Sequence, residues 1–249
     1  MLQQTQTSRV IGPWTRFLEH FATPRACADA PLSAVLRLWS GLGYHRRAKA
    51  LHDTATIIRD EFDGAVPSAV ADLRRLPGVG EYSANAVASF AFGRHVAVVD
   101  TNVGRVLARA LANRTLNARE ARALATELLP RTRAAPFNQS MLDLGAQFCT
   151  STPRCASCPV ARHCRWHREG GPDPAPRSAG VSRPQPTFEG SDRQARGRVL
   201  AALRERPRTA RQLLSSIDVE ADHGAALIAG LVADGLVARR GRLVHLSGD

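Results

Sequence analysis

Apolar residues recur at helical spacing along most of the chain. Two apolar stripes stand out, one at residues 48–62 and one after Asp100; they comprise Leu51, Ala55, Ile58 and Phe62, and Val103, Val106, Leu107 and Ala110. Asn117 and Glu120 have the spacing of a capping box, which predicts a helix from there through Leu129. No strand pattern precedes residue 230, so the predicted fold class is mainly α.

The C-terminal part of the chain has a different pattern. Residues 170–190 contain five prolines and are predicted to form an extended linker. Beyond it the spacing predicts three helices and a β-hairpin, at residues 192–205, 209–216, 223–234, 236–238 and 243–246. This succession is typical of a winged-helix module, which binds either DNA or another protein surface.

Composition and charge point to a polyanionic partner. The chain has 249 residues, 44% of them hydrophobic, which is enough for one large or two modest domains. Its net charge is +12; residues 1–168 contain 22 basic and 12 acidic residues, a net of +10. A genome rich in G and C would explain arginine in place of lysine, but not this excess over acidic residues. No apolar run is long enough to span a bilayer, and the N-terminus is polar.

Four of the five cysteines lie within sixteen residues, as Cys149-x5-Cys155-x2-Cys158-x5-Cys164. Such a short segment does not easily form two unstrained disulfides, whereas four thiolates can converge on one metal centre. Tetrahedral zinc and an iron-sulfur cluster are both open on these grounds, although zinc sites usually use two close cysteine pairs. A thiolate site suits a reducing compartment, which predicts a cytoplasmic protein.

Two further motifs carry candidate chemistry. Leu76-Pro77-Gly78-Val79-Gly80 joins predicted helices at residues 68–75 and 82–92, and such a glycine turn before a helix can hold a phosphate. Asp100 follows Val98-Val99 and precedes another predicted helix. Taken alone, the first motif is an ordinary helix connection and the second an ordinary N-cap.

Together these segments resemble the helix-hairpin-helix DNA glycosylases that carry an iron-sulfur cluster, and most closely the MutY-type adenine DNA glycosylases. The resemblance covers residues 1–168, through the start Met-Leu-Gln-Gln-Thr-Gln, the Trp-Ser-Gly-Leu-Gly-Tyr segment ending at Tyr44, the glycine hairpin, Asp100-Thr101-Asn102 and the cysteines. It implies a glycosylase domain at residues 1–113, a cluster domain at 114–168, a linker at 169–191 and the winged-helix-like module at 192–249. The implied cofactor is a [4Fe-4S] cluster on the four cysteines.

The resemblance also assigns roles to residues. Asp100 would stabilise the positive sugar as the glycosidic bond breaks, with Asn102 orienting it. Tyr82 occupies the place where strand-cleaving relatives have a Schiff-base lysine, so base removal without strand cleavage is implied. Contacts to double-stranded DNA with a mismatched or damaged base would come from Leu2, Gln3, Gln4, Thr5, Gly43, Tyr44, Gly78, Val79 and Gly80. The expected protein is a monomeric repair enzyme that removes adenine opposite 8-oxoguanine or guanine.

The sequence departs from this pattern in three places. The family's general acid is a glutamate two residues before the segment that begins here at Met1, so we expect either an upstream start or a short form that binds DNA but excises slowly. The first two cysteines are separated by five residues where relatives commonly have six. The tail is too short for the Nudix-like domain that reads 8-oxoguanine. Two alternatives stay open: a thymine or uracil mismatch glycosylase, and a non-catalytic DNA-binding iron-sulfur protein.

Overall fold

Helices make up most of the described chain, which confirms the predicted fold class. The computed structural model describes residues 1–3, 5–178, 181 and 187–249. The helices within these residues are α1 (Thr7–His20), α2 (Pro24–Asp29), α3 (Leu32–Leu38), α4 (Arg46–Glu61), α5 (Val70–Leu73), α6 (Glu81–Phe92), α7 (Thr101–Val106), α8 (Ala118–Glu127), α9 (Ala134–Gln147), α10 (Arg165–Glu169), α11 (Asp192–Glu205), α12 (Ala210–Leu214) and α13 (Ala221–Ala233). A π-helical turn at Leu107–Ala112 continues α7. None of the helices in the described part of the chain is long and apolar enough to cross a membrane.

The chain divides into two compact units that are not consecutive in sequence. The first unit comprises Met1–Pro67, Leu76–Gly78 and Gln185–Asp249, and the second comprises Ser68–Arg75 and Val79–Pro184. Each unit therefore draws on separated stretches of the chain.

The core of the first unit combines side chains from both ends of the chain. Leu36 of α3 and Trp39, which follows that helix, belong to the same buried cluster as Val199, Leu203 and Leu231 from the C-terminal helices. These side chains are at most 1% exposed. The burial of this shared apolar surface therefore fixes α11 and α13 against the N-terminal helices.

A small antiparallel sheet completes the first unit. Its strands are β1 (Arg208–Thr209), β2 (Val237–Arg240) and β3 (Leu243–Leu246), in the order β1-β3-β2. In the hairpin, Val237 pairs with Leu246 and Arg240 with Leu243. The predicted hairpin is present, and so are the three helices that precede it.

The second unit is built around α7 to α9. Val103, Leu107 and Ala108 form a buried cluster with Ala121 and Ala125 of α8. Asn117 and Glu120 form the predicted capping box, in which each side chain accepts from the other residue's backbone N–H at 2.9 Å. This reciprocal cap fixes the start of α8.

Some predicted boundaries were wrong. Strand β1 lies before residue 230, but its two residues are too few to show alternation and owe their pairing to β3. The helix predicted at residues 68–75 is limited to Val70–Leu73, and the helix predicted through Leu129 ends at Glu127. Within the predicted linker, residues 179–180 and 182–186 lie outside the described part of the chain, while Ala175–Arg177 forms a 3₁₀ turn.

Candidate active site

Asp100 is the N-cap of α7, and its carboxylate is fixed on both oxygens. Oδ1 accepts from the backbone N–H of Val103 at 2.8 Å, and Oδ2 accepts from the side-chain amide of Asn102 at 2.9 Å. The N-cap interpretation and the catalytic one are therefore compatible, because the cap holds the carboxylate in one orientation.

Burial raises the pKa of the Asp100 carboxyl above its ordinary value. Hydrogen bonds from Val103 and Asn102 and the positive charge of Arg105 act in the opposite direction, but burial is the largest effect. The carboxylate is thus poorly solvated and partly compensated by fixed donors, which is typical of a group that meets a developing positive charge.

Tyr82 on α6 belongs to the same electrostatic environment. Its pKa is raised, first by burial and second by the negative charge of Asp100. The side chain is 42% exposed. The structure therefore brings Asp100, Asn102 and Tyr82 together in the second unit, as the sequence interpretation required.

Arg105 supports the turn that follows Asp100, a role that was not predicted from the sequence. Its guanidinium donates to the Asn102 Oδ1 atom at 2.7 Å, to the Gly145 carbonyl at 2.9 Å and to the Cys149 carbonyl at 2.7 Å. A signal existed, since Arg105 lies three residues after Asn102 and hence on the same helix face. Its other two acceptors could not be read from the sequence.

Helix α9 packs directly on the same turn. A Cβ atom at Gly145 would lie 2.5 Å from the Asn102 carbonyl oxygen, so only glycine permits this approach. Position 145 therefore sets the distance between α9 and the backbone that follows Asp100.

The segment before Asp100 is held by a buried asparagine, also missed from sequence. Asn138 is 3% exposed; its Oδ1 accepts from the Val98 N–H at 3.2 Å. Its amide donates at 2.9 Å to both the Ser89 hydroxyl and the Val96 carbonyl. A fully paired buried amide of this kind specifies one backbone path into the Asp100 turn.

The four predicted cysteine ligands line one cavity of the second unit. The cavity also has an apolar wall that includes Val106, Leu144, Phe148 and Val160. All four cysteines are free thiols in the structure. Within the described ranges, no three His, Cys, Asp or Glu side chains are arranged to hold a single metal ion. Four unpaired thiols facing one cavity form a donor set that fits a thiolate-ligated group.

Arg109 braces the cysteine loop from the π-helical turn. Its side chain is 1% exposed and forms a paired salt bridge with Asp173, at 2.8 and 2.6 Å. It also donates to the Thr150 carbonyl at 2.7 Å and to the Cys149 Sγ atom at 3.4 Å, and it lies over the Trp166 ring. Hydrogen bonds to ligand sulfur are one of the means by which proteins tune such centres.

The glycine hairpin has the geometry that its sequence predicted. Gly78 has φ +73°, and a Cβ there would lie 2.9 Å from the Ala50 Cβ atom of α4, so the position requires glycine. The Pro77 carbonyl accepts from Thr54 at 3.0 Å, and the Gly78 carbonyl accepts from Gln3 at 3.0 Å.

Helix α6 begins directly after the hairpin. Val79 follows Gly78, and Gly80 is the N-cap of α6 without a side-chain cap. The first N–H groups of α6 are thus not capped by that residue.

Arg47 of α4 holds the start of the chain by three hydrogen bonds. It donates to the Gln3 carbonyl, to the Met1 carbonyl at 3.2 Å and to the Thr5 hydroxyl at 3.0 Å. Leu2 is 60% exposed, as a residue that contacts DNA must be. The predicted contact Gln4 lies outside the described residues.

The Gly43-Tyr44 turn lies beside Arg47. Both residues have positive φ, 66° and 47°, and the Gly43 carbonyl accepts from the Trp39 indole at 2.9 Å. Tyr44 is a non-glycine residue in the left-handed region, so its neighbours must hold it there. The Arg47 guanidinium carbon lies 5.3 Å from the centre of the Tyr44 ring.

The helix-hairpin-helix turn, the capped aspartate and the cysteine loop define a class of DNA repair protein. A family described as the HhH-GPD superfamily base excision DNA repair protein matches residues 1–131. The chain belongs to this family.

Curated relatives have the name adenine DNA glycosylase. The protein from Mycolicibacterium smegmatis is 44% identical over 209 residues, which cover 82% of this chain and 69% of that protein. The protein from Mycobacterium tuberculosis strain H37Rv is 42% identical over 249 residues, covering 96% of this chain and 80% of the relative. The Homo sapiens protein is 41% identical over 172 residues, which cover 66% of this chain and 32% of that protein.

Solved structures of two related enzymes share the fold. A thermostable thymine-DNA glycosylase superposes with a TM-score of 0.62 at 26% identity, covering 68% of this chain and 80% of the other. A trapped endonuclease III–DNA covalent intermediate gives a TM-score of 0.59 at 28% identity, with the same coverage.

The raised pKa of Asp100 predicts a pH-dependent effect of Asp100→Asn on stability. Because the folded-state pKa is above 3.8, ionised Asp100 costs stability at neutral pH, and this cost vanishes as pH falls through the folded-state pKa. The asparagine keeps an oxygen to cap Val103. Denaturant unfolding should therefore show the variant to be more stable than the wild type at neutral pH, with the difference shrinking in acid. A variant that is less stable at neutral pH would contradict the burial argument.

Proposed function

We propose that this protein removes adenine from DNA by hydrolysing the N-glycosidic bond. The observation that carries the proposal is the half-buried Asp100 carboxylate, fixed by Val103 and Asn102, in a chain whose relatives are adenine DNA glycosylases. The reaction breaks the bond between the sugar and the base, and water adds hydroxyl to the sugar and a proton to the departing adenine.

Asp100 acts on the sugar. As the bond breaks, positive charge develops on the sugar ring, and a carboxylate held without reorganisation stabilises that charge. Asn102 keeps Oδ2 oriented, and Arg105 in turn holds the Asn102 amide by its oxygen. The ionised form is required, so activity should be lost as pH falls through the raised pKa of Asp100.

Tyr82 makes the reaction monofunctional. A phenol cannot form an imine with the sugar, and its pKa is raised further by burial and by Asp100. The abasic site is therefore released with its strand intact.

The duplex is opened by the N-terminal segment and the Tyr44 turn. A base must leave the stack to be cut, and a side chain fills the space that it leaves. Leu2, exposed beside the hairpin, and Tyr44 are the wedge candidates, while a set of neighbours contacts the opposite base and backbone: Gln3, Gln4, Thr5 and Gly43. Gly78, Val79 and Gly80 hold a phosphate next to the flipped nucleotide through backbone N–H groups at the start of α6. The net charge of +12 provides the long-range attraction.

The base opposite the adenine is 8-oxoguanine or guanine. This follows from the relatedness to adenine glycosylases, since adenine in a normal pair with thymine cannot be the target of a repair enzyme. We further infer a monomer that acts on DNA in the cytoplasm, at the nucleoid. The functional segments are those predicted from sequence: 1–113, 114–168, 169–191 and 192–249.

Cys149, Cys155, Cys158 and Cys164 hold a [4Fe-4S] cluster. They line one cavity, and Arg109 donates a hydrogen bond to the first of them. When bound, the cluster supplies a structural cross-link for a loop with basic residues that faces the DNA backbone. The chain itself provides the second brace, because Arg105 and Arg109 bind carbonyls of the same loop.

A panel of duplexes tests the proposed activity. The full chain, in excess over DNA and with long incubation, is mixed with duplexes that carry adenine opposite 8-oxoguanine, adenine opposite guanine, adenine opposite thymine or thymine opposite guanine. We expect strand breaks only after alkali, at the adenine of the first two duplexes, and no product trapped by borohydride. Asp100→Asn should reduce the rate by about 10²–10⁴-fold.

Other outcomes would replace this proposal. Cleavage at thymine alone would favour the thymine mismatch glycosylase, a specific alternative because the fold superposes on a thymine-DNA glycosylase with a TM-score of 0.62. Tight binding to the mismatched duplexes without any release of base would instead indicate a non-catalytic DNA-binding protein.

Metal analysis tests the cofactor. The purified protein should contain about four iron atoms per chain and no stoichiometric zinc. Cys158→Ser should lower the iron content, whereas Cys27→Ser, at a buried thiol of the first unit, should leave it unchanged. One zinc per chain would contradict the cluster assignment.

A further inference from the structure

Arg193 makes a direct contact with the Tyr44 side chain. Both residues belong to the first unit, although 149 positions separate them in sequence. The Arg193 Nη1 atom donates to the Tyr44 hydroxyl at 2.6 Å, and its guanidinium carbon lies 5.3 Å from the centre of the Tyr44 ring. Phe188 adds to the cluster, with its ring 5.2 Å from the same guanidinium carbon.

The position of Arg193 is set by the core. It is the second residue of α11, whose Val199, Leu200 and Leu203 are at most 1% exposed within the core shared by both ends of the chain. The packed face of α11 therefore fixes the backbone of Arg193 within reach of Tyr44.

Tyr44 needs such support. Its φ of 47° is unfavourable for a residue with a side chain, and the ring has a cation on the Arg47 side as well as the Arg193 side chain at its hydroxyl. Contacts to the ring and to the hydroxyl together restrict the side chain to few orientations.

We propose that Arg193 is a positioning residue for lesion recognition: it holds Tyr44 in the orientation in which the ring enters the duplex. The proposal rests on the wedge role given to Tyr44 under the proposed function. A pre-oriented ring loses less conformational freedom on insertion, so the gain appears only in complexes where the duplex is opened. The C-terminal module thereby contributes to the choice of base pair through α11.

A purely structural contact predicts something different. Loss of Arg193 would then lower thermal stability, or lower affinity for every duplex through its charge, but would leave the preference between duplexes unchanged. The ratio of two dissociation constants separates these cases.

The test is fluorescence anisotropy with the full chain and two labelled duplexes, one with adenine opposite 8-oxoguanine and one fully paired. Arg193→Ala should reduce the preference for the lesion duplex by about tenfold. Arg198→Ala is the matched control, because Arg198 is exposed on the same helix; it should weaken both complexes equally. Thermal unfolding of each variant establishes that it is folded.

Tyr44→Phe provides a second, milder variant. It keeps the ring and removes only the hydroxyl that Arg193 binds, so Arg193→Ala should have a smaller effect in that background than in the wild type.

Three results would overturn the inference. Equal weakening of both complexes by Arg193→Ala is one, and strict additivity with Tyr44→Phe is another. The third is a wild-type chain without any preference for the lesion duplex, which would remove the proposed function as well. Either of the first two results removes this inference alone.

Discussion

The geometry of the candidate site depends on one arginine that joins three backbone segments. Arg105 binds the Asn102 side chain, the Gly145 carbonyl of α9 and the Cys149 carbonyl at the start of the cysteine loop, all between 2.7 and 2.9 Å. A guanidinium offers five donors in a fixed fork, so it can satisfy such a set without strain. The orientation of Asp100 is therefore coupled to the loop that carries the four clustered cysteines, and we expect the loop to act through this bracing.

The first unit supports the Gly43-Tyr44 turn, in which Tyr44 has an unfavourable positive φ. Its core unites helices from both ends of the chain, and this brings Arg193 of α11 to the Tyr44 hydroxyl while Arg47 lies against the ring. Arg47 also binds Gln3 and Thr5, so one side chain organises both the N-terminal segment and the turn. The C-terminal helices are thus part of the support for the residues that we propose to contact DNA.

Local patterns predicted local structure well. The Asp100 cap, the Asn117–Glu120 capping box and the positive φ of Gly78 each depend on residues within a few positions of one another. The clustering of four cysteines predicted that their thiols converge, and all four line one cavity; the metal centre itself stays a prediction. The contacts of Asn138 and Arg193 could not be predicted, because their partners are 40 to 149 positions away and only tertiary packing brings them together.

The most direct test of this account is Gly145→Ala, since the account requires α9 to touch the Asn102 backbone. A Cβ at position 145 would lie 2.5 Å from the Asn102 oxygen, whereas nothing lies within 4 Å of a Cβ at Gly197 in α11. Alanine in a helix gains about 0.5–1 kcal/mol over glycine where space permits. We predict that Gly197→Ala is neutral or stabilising, while Gly145→Ala lowers both the unfolding free energy and the single-turnover rate of adenine release. Equal behaviour of the two variants would contradict the claim that the Asp100 turn is held by this contact.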